Sequence, residues 1–370
     1  MERMKRVERA RAIMLLRAQE GASKDIPGEE EETEQHEEDQ LFASKTFSDS
    51  MVTLQTYNRE HITAPAACTQ LMLPEWLLYV PSNLSSSWLV RPRPQGVRCL
   101  VMAAEGRTHV FSRTLQPLMR PFLSSLPSGS WRTRRKGNMC VLDCIVDGNP
   151  RDRNKTFFVL DCLQWSGCDI SECSAEFRLF WVAERMKEGS INGVNNTYNF
   201  MLVPSFDCTH EGFLEAYHYQ GYLKDGLFFY SKLAPYARGL SPFALVWKDK
   251  ACSPLYEDVK QGTDAANASN KMSTTLFMGR EGSILTCDSP PLVVSHQLTD
   301  SWTDKNVSGL FRFEYDELDE EKGRVVGLKC VRAVKSGMAD SWTKLVFMQR
   351  ARRDEQPSVY DILAGIGENA

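Results

Sequence analysis

One stretch of the chain, Thr69 to Arg113, places a tryptophan and two arginines among apolar runs. Trp76 comes first, in a predicted loop from Leu73 to Trp76, and Arg98 and Arg113 follow in a predicted strand-turn-strand unit. An indole can stack on a nucleobase, and a guanidinium pairs with phosphate through its forked N–H donors. The combination predicts a site for the end of a nucleotide chain. The alternative is that Trp76, which precedes Leu77, is a core anchor.

Size and charge limit what kind of site this is. The chain has 370 residues, of which 42% are hydrophobic and 25% charged, enough for one large domain and a smaller one. Its formal net charge of -4 combines a basic N-terminus with an acidic tract behind it. We therefore expect any nucleic-acid contact to be a local pocket and not a broad basic face.

The cysteines and the hydropathy exclude other classes. The 11 cysteines form no CxxC pair and no Cys/His spacing suited to zinc, so we predict no metal site, no cofactor and a reducing compartment. Cys140 and Cys144 lie four apart on a predicted strand, where both would face the core as small apolar residues. Because no run of about 18 apolar residues occurs, we expect no membrane association.

The first 45 residues read as a tail. Residues 1–20, MERMKRVERARAIMLLRAQE, predict a short basic amphipathic helix, and residues 21–45 predict a linker. Glu29 to Asp39 holds eight acidic residues and no large hydrophobe, so it cannot bury enough surface to offset ordering entropy. The helix offers cations to an acidic partner; the alternative is a frayed, solvated helix.

Residues 46–260 predict an α+β domain with an antiparallel-rich sheet. The predicted strands are 88–90, 98–103, 108–112, 140–146, 156–164, 202–204, 227–231 and 243–247, and the predicted helices are 172–187 and 211–220. Residues 261–281 read as a polar linker. Residues 282–362, up to and including SWTKLVFMQRARRDEQPSVYDIL, read as a second, β-rich domain.

Several motifs in the same order resemble the snurportin family. They are LMLPEWLLYVPSNLSSSWLV, GVRCLVMAAEGRT, FLSSLPSGS, VLDCIVD, FFVLDCLQWSG and AEFRLFWV, densest from Gln70 to Val182 and weaker out to about Lys250. The resemblance implies a non-enzymatic adapter. Such a protein binds the 2,2,7-trimethylguanosine cap of spliceosomal small nuclear RNA and carries the ribonucleoprotein into the nucleus with importin-β. An exportin returns the adapter, so both cytoplasm and nucleus are expected locations.

The resemblance also assigns roles to residues. It implies that Trp247 stacks on the cap, that Trp76 lies beside the dimethylated amino group, and that Arg98 and Arg113 contact phosphates. A 7-methylguanine ring is cationic, so stacking, worth about 1–3 kcal/mol per base, is joined by a cation–π term. For Trp247 the alternative is a sheet-core residue, since it follows Phe243 and Leu245 in strand alternation.

Two features depart from the family pattern. Leu73 and Pro74 fall beside the expected cap, but Pro74 replaces a serine and has neither hydroxyl nor backbone N–H. The family's N-terminal importin-β-binding segment is longer and contains a run of consecutive arginines. Here the residues expected to bind importin-β are Arg3, Lys5, Arg6, Arg9 and Arg11.

The order of strands is also similar to the nucleotidyltransferase fold of mRNA guanylyltransferases. The lysine nucleophile of their KxDGxR motif falls on Arg93 and its aspartate on Gln95, while Gly96 and Arg98 keep the glycine and arginine. A guanidinium stays protonated, so Arg93 cannot form a phosphoramidate. In the third motif a carboxylate that contacts the sugar falls on Ile145.

Later motifs of the enzymes continue the correspondence. The fourth falls on 224–227 and the fifth on 245–249, and the last, RxDKxxP, falls near 352–357 with Glu355 in place of its lysine. That order implies an OB-like C-terminal domain; the alternative is an unrelated β-rich extension. Two other functional classes stay open: a guanylyltransferase-like enzyme, and an interaction module on the same fold that binds no cap.

Overall fold

The structure is a computed structural model that describes residues 71–132, 138–148, 155–188, 197–254, 256, 272–279, 282–296, 308–335 and 337–367. The predicted basic helix, the acidic linker and residues 46–70 lie outside these ranges. Within them the chain forms two compact units. Of the described residues, the first unit comprises those within 94–204 and 231–237, and the second comprises those within 71–93, 205–230 and 238–367. The boundaries of these two units differ from the predicted domain boundaries.

The first unit is a sheet with one long helix. Its strands lie in the order β4-β3-β5-β6-β7, with β8 parallel to β6 and the other pairs antiparallel. The strands are β3 Val97–Ala104, β4 Arg107–Ser112, β5 Cys140–Val146, β6 Thr156–Trp165, β7 Cys168–Asp169 and β8 Asn199–Leu202, and the helix is α2 Ala175–Glu188. Cys140 and Cys144 lie in its core with no exposed surface, as predicted. The predicted strand 202–204 is wrong, because β8 ends before Pro204, which has no N–H for a ladder.

A first sheet of the second unit carries the tryptophans. Its order is β1-β11-β10-β2-β9. The elements are β1 Met72–Trp76, β2 Trp88–Pro94, β9 Phe206–Asp207, β10 Lys224–Ser231 and β11 Gly239–Trp247, with helices α1 Leu84–Ser87 and α3 His210–Tyr217. Strand β1 pairs with β11 in parallel at the edge of the sheet. These strands and those of the first unit confirm the predicted α+β class.

The segment from Leu73 to Trp76 was expected to be a loop, and that expectation is wrong. It forms most of β1, and the ladder with β11 shifts register between Pro74 and Glu75. A proline is tolerated in a sheet at an edge strand or an irregularity, because its missing N–H then breaks no central ladder.

A second sheet of this unit is antiparallel and five-stranded, in the order β14-β13-β12-β15-β18. Its strands are β12 Met272–Met278, β13 Ile284–Leu285, β14 Val293–Ser295, β15 Gly309–Tyr315 and β18 Lys329–Ala333, beside a hairpin of β16 Glu317–Asp319 and β17 Arg324–Val326. The predicted linker 261–281 is therefore wrong over β12, where polar Ser and Thr residues stand in a strand. The OB-like assignment stays a prediction.

Two helices follow where the sequence was expected to remain β-rich. They are α4 Trp342–Arg352 and α5 Val359–Gly367. Ser341 caps α4 by accepting a hydrogen bond from the Lys344 N–H at 3.3 Å. Strong helix formers such as Leu345, Met348 and Ala351 then outweigh the apparent alternation. In the part of the chain that the structure covers, no helix is long and apolar enough to cross a bilayer.

Candidate functional site

Trp76 ends β1 and is partly buried. Its backbone N–H donates to Thr343 Oγ1 at 3.2 Å, and its ring centroid lies 4.7 Å from that of Phe347 at an interplanar angle of 46°. The Lys248 Nζ lies 5.9 Å from the centroid of the indole. Helix α4 therefore holds Trp76 in position, and the Lys248 ammonium lies near its ring.

Lys248 belongs to a cluster of charges at the end of β11. Its Nζ donates to Asp225 Oδ1 at 2.6 Å, and Ser253 Oγ donates to the same oxygen at 2.6 Å. Arg93 pairs with the other oxygen of Asp225. Two cationic groups thus contact one carboxylate, and one of them, the Lys248 ammonium, lies near the Trp76 ring. Sequence reasoning did not select Lys248 or Asp225 as site residues.

A glycine permits this arrangement. Gly226 follows Asp225 on β10 and has a φ of +99°, which side chains rarely adopt. A Cβ on it would lie 2.5 Å from the Trp247 carbonyl oxygen. Any other residue here would push β10 and β11 apart where Asp225 meets Lys248.

Burial and charge shift the pKa values of this cluster. Desolvation, with the positive charge of Arg93, lowers the pKa of Lys248 to about 8, although Asp225 opposes the shift. Burial would raise the pKa of Asp225, but Arg93 and Lys248 outweigh it and the pKa lies below its ordinary value. The carboxylate of Asp225 is therefore ionised near neutral pH. Of the two groups, Lys248 is the one whose pKa lies close to neutral pH.

The titration of Lys248 predicts a pH effect on stability. Its folded-state pKa of about 8 lies below the usual 10.5, so between these values the unfolded chain binds more protons. The free energy of unfolding should therefore rise with pH across that window, by up to about 1.4 kcal/mol per pH unit for this one group. We expect Lys248→Met to lack this rise when urea unfolding is measured from pH 7.5 to 10.5 (roughly the span of the two pKa values).

The comparison between the two proteins is the control. Burial raises the pKa of the Cys252 thiol, which acts in the opposite direction in both proteins and cancels in their difference. Parallel curves for wild type and Lys248→Met would contradict the assignment.

Trp247 lies in the core of the second unit. Its side chain has no exposed surface, and its Nε1–H donates to the Pro357 carbonyl at 2.8 Å. It packs in one cluster with Phe347 and Ile362. Because successive residues of a strand face opposite sides, Trp247 and Lys248 point apart. The predicted stacking role of Trp247 stays a prediction, and in this arrangement it requires that some of the residues that bury the ring move.

Leu73 and Pro74 occupy the middle of β1. Leu73 is buried, and Pro74 is partly buried opposite Ser241 at the register shift. Pro74 supplies no hydrogen-bond donor at this place. Their predicted place beside a ligand is not tested by these contacts.

The predicted phosphate-contacting arginines belong to the first unit. Arg98 is buried on β3, where its Nε and Nη2 donate to the two carboxylate oxygens of Asp143 at 3.0 and 2.5 Å. The Tyr236 hydroxyl donates to the same carboxylate at 2.6 Å. Arg113 is exposed just after β4. The structure thus groups Trp76 with Trp247 in one unit and Arg98 with Arg113 in the other, and their phosphate roles stay predictions.

The remaining predictions concern Ile145, the importin-β-binding residues and the absence of a metal site. Ile145, at the third enzyme motif, is buried on β5 and pairs with Arg98 across the ladder. The five residues expected to bind importin-β lie outside the described residues. Within the described ranges, no group of three or more His, Cys, Asp or Glu side chains has a geometry suited to a metal ion.

Part of this chain matches a known protein family, and the chain is also similar to solved structures. Residues 70–248 match the family model described as Snurportin1, m3G cap-binding domain. Among solved structures, the chain is similar to the ligase domain of LigD from M. tuberculosis, with 12% identity, 73% of this chain and 96% of that chain covered, and a TM-score of 0.36. It is also similar to the Chlorella virus DNA ligase-adenylate, with 12% identity, 73% and 100% coverage and a TM-score of 0.32. Both of these proteins are ligases, and we draw no conclusion about the fold or the activity of this chain from similarity at this level.

Proposed function

Because residues 70–248 of this chain match the family model of the Snurportin1 m3G cap-binding domain, we propose that the protein binds the 2,2,7-trimethylguanosine cap of spliceosomal small nuclear RNA. The family match is the observation that carries the proposal. It covers Trp76, Trp247, Arg98 and Arg113, the residues to which the resemblance assigns cap contacts.

The surroundings of Trp76 support the binding step. The Trp76 side chain is only partly buried, so part of the indole is accessible to a methylated base, and the positive charge of Lys248 lies 5.9 Å from its centroid. That charge suits the triphosphate bridge of a cap, while the indole suits its base. Trp76 is therefore the aromatic residue on which we place the larger share of binding.

We further propose that cap binding serves nuclear import of the ribonucleoprotein. The basic residues Arg3, Lys5, Arg6, Arg9 and Arg11 would engage importin-β, and an exportin would recycle the protein between nucleus and cytoplasm. Charge complementarity supports this step, since a basic helix suits an acidic receptor surface.

The protein acts, in this proposal, without catalysis. Arg93 stands where the enzymes have their nucleophilic lysine, and it holds Asp225 in an ion pair. Incubation with GTP and Mg²⁺ should therefore leave the intact mass of the protein unchanged. A covalent guanylate on any lysine, Lys248 first among them because of its lowered pKa, would restore the enzyme alternative.

The binding test is a fluorescence titration with trimethylated and monomethylated cap dinucleotides. Wild type should bind the trimethylated cap, and Trp76→Ala should bind it about tenfold more weakly, as expected for the loss of one stacking side chain. Phe180→Ala is the matched control, because Phe180 is an exposed aromatic residue of the first unit, 62% accessible on α2. It should bind as wild type does.

Two results would overturn the proposal. One is the absence of binding of either dinucleotide to wild type at concentrations that saturate other cap-binding proteins. The other is equal affinity of wild type and Trp76→Ala for the trimethylated cap, which would remove the central residue of the site.

A further inference from the structure

An exposed tryptophan stands on the first unit, and no cap contact is assigned to it. Trp131 is 69% accessible, far more than a core or packing residue would be. The guanidinium of Arg132 lies 5.0 Å from the centroid of its ring. An indole accompanied by an arginine and open to solvent is a surface on which a nucleobase can stack.

Hydrogen bonds stabilise the turn that precedes Trp131. Gly106 N–H donates to the Ser128 carbonyl at 2.8 Å, and Ser124 N–H donates to the Gly129 carbonyl at 3.0 Å. The hydroxyls of Thr108 and Ser124 are 2.6 Å apart and buried. The indole is thus presented by an ordered turn, so that little conformational entropy is lost when a ligand covers it.

Two arginines belong to this surface, Arg132 at the ring and Arg107 next to the turn, and the exposed Glu105 adjoins Gly106 on its other side. Gly106 lies so close to the turn that a Cβ on it would be 3.3 Å from the backbone nitrogen of Trp131, and Arg107, which is exposed, follows it directly. An exposed indole with arginines nearby suits a polyanion that also carries flat rings.

We propose that Trp131, Arg132 and Arg107 form a contact site for single-stranded RNA that follows the cap. The indole stacks on a base without regard to its identity, and the arginines pair with phosphates. This inference rests on the proposed function, because it takes the ligand to be the RNA whose cap the protein binds. If a protein partner and not RNA covered this surface, the Trp131 variants would bind RNA as wild type does.

Fluorescence anisotropy with a ten-nucleotide single-stranded RNA tests the inference, using trimethylguanosine-capped and uncapped forms beside the cap dinucleotide. Trp131→Ala should bind the capped RNA about tenfold more weakly, as expected for a lost stacking contact. Trp131→Phe, which keeps an aromatic face, should stay close to wild type. Phe180→Ala again serves as the control, an exposed aromatic on a helix with acidic neighbours.

Salt dependence separates the arginines from the indole. For Arg107→Ala with Arg132→Ala, the slope of log affinity against log salt should fall by about 0.7 for each lost phosphate contact with single-stranded RNA. For Trp131→Ala the slope should be unchanged, because stacking releases no counterions.

The outcomes distinguish this inference from the proposed function. Equal affinity of wild type, Trp131→Ala and Trp131→Phe for both RNAs would overturn the inference, whether or not the dinucleotide binds. Failure of the dinucleotide to bind, together with loss of uncapped-RNA binding in Trp131→Ala, would overturn the cap proposal and support this RNA contact.

Discussion

Replacing Asp161 with alanine should lower the free energy of unfolding by about 3–5 kcal/mol, because it leaves a buried guanidinium without its counter-ion. Asp161 and Arg178 both have no accessible surface, and they form a bidentate pair with N–O distances of 3.0 and 2.8 Å. Arg178 also donates to the carbonyl oxygens of Cys173 and Ala234 at 2.5 and 3.0 Å. Those bonds hold the guanidinium in place, so it cannot turn to solvent when the carboxylate is removed.

A second substitution makes this prediction specific. In the double variant Asp161→Ala with Arg178→Met, neither charge of this pair remains, and methionine fills much of the arginine's volume. We expect it to recover most of the lost stability, since replacing a buried pair by apolar residues is often close to neutral. Urea unfolding monitored by circular dichroism gives both values. A double variant as unstable as Asp161→Ala alone would show that packing, and not the unpaired charge, carries the effect.

Replacing Trp247 with alanine should cost about 3–5 kcal/mol of unfolding free energy, the range for truncation of a large buried aromatic side chain. The indole has no exposed surface, packs with Phe347 and Ile362, and gives its only N–H to the Pro357 carbonyl. Thermal unfolding of the full chain measures the loss. A change of less than about 1 kcal/mol would contradict the core assignment.

The expected loss of stability in Trp247→Ala decides which substitution should be used to test cap binding at this residue. A variant that lowers stability this much can lose ligand affinity simply because part of it is unfolded. Trp247→Phe is the better probe, since it keeps an aromatic ring in the core and removes only the N–H and part of the volume. If it folds and binds the trimethylated cap as wild type does, binding does not depend on the indole; a selective loss of affinity would support the predicted stacking role.

Much of the sheet structure could be predicted from the sequence. Strands β3, β5 and β6 are long runs rich in valine, leucine and phenylalanine, so alternation and turn residues mark them clearly. Strand β1 was missed, because Pro74 suggests a break in a strand unless the partner strand shifts register beside it. That shift is a property of the pair β1 and β11, and neither segment shows it alone.

Helix α4 shows the opposite difficulty. The run from Trp342 to Arg352 has apolar residues on nearly every side, among them Leu345, Val346 and Phe347, so no clear helical stripe appears. The helix is apolar on several faces because it packs both on the sheet that holds Trp76 and on the second sheet of the same unit. Only the tertiary arrangement explains this composition.

The candidate site was predicted in part. Trp76 was selected from its type and position, and the structure places it beside Lys248. Lys248 and Asp225 were not selected, although both lie in segments that resembled enzyme motifs. The choice between Trp247 and Lys248 depends on which face of β11 points where, and a shift of one residue exchanges the two faces. Sequence pattern alone does not resolve such a shift in a strand that is apolar on both sides.

The mixed core around Trp247 limits how far this protein can be shortened. Its members come from the region that matches the family, such as Leu77 and Leu245, and from the two C-terminal helices, such as Ala351 and Ile366. A chain cut after Lys248 would keep every matched residue and still expose the apolar face that those helices cover. Such a fragment would be prone to aggregation and proteolysis. The shortest fragment that folds stably should therefore include the helix that ends at Gly367, although the family match stops well before it.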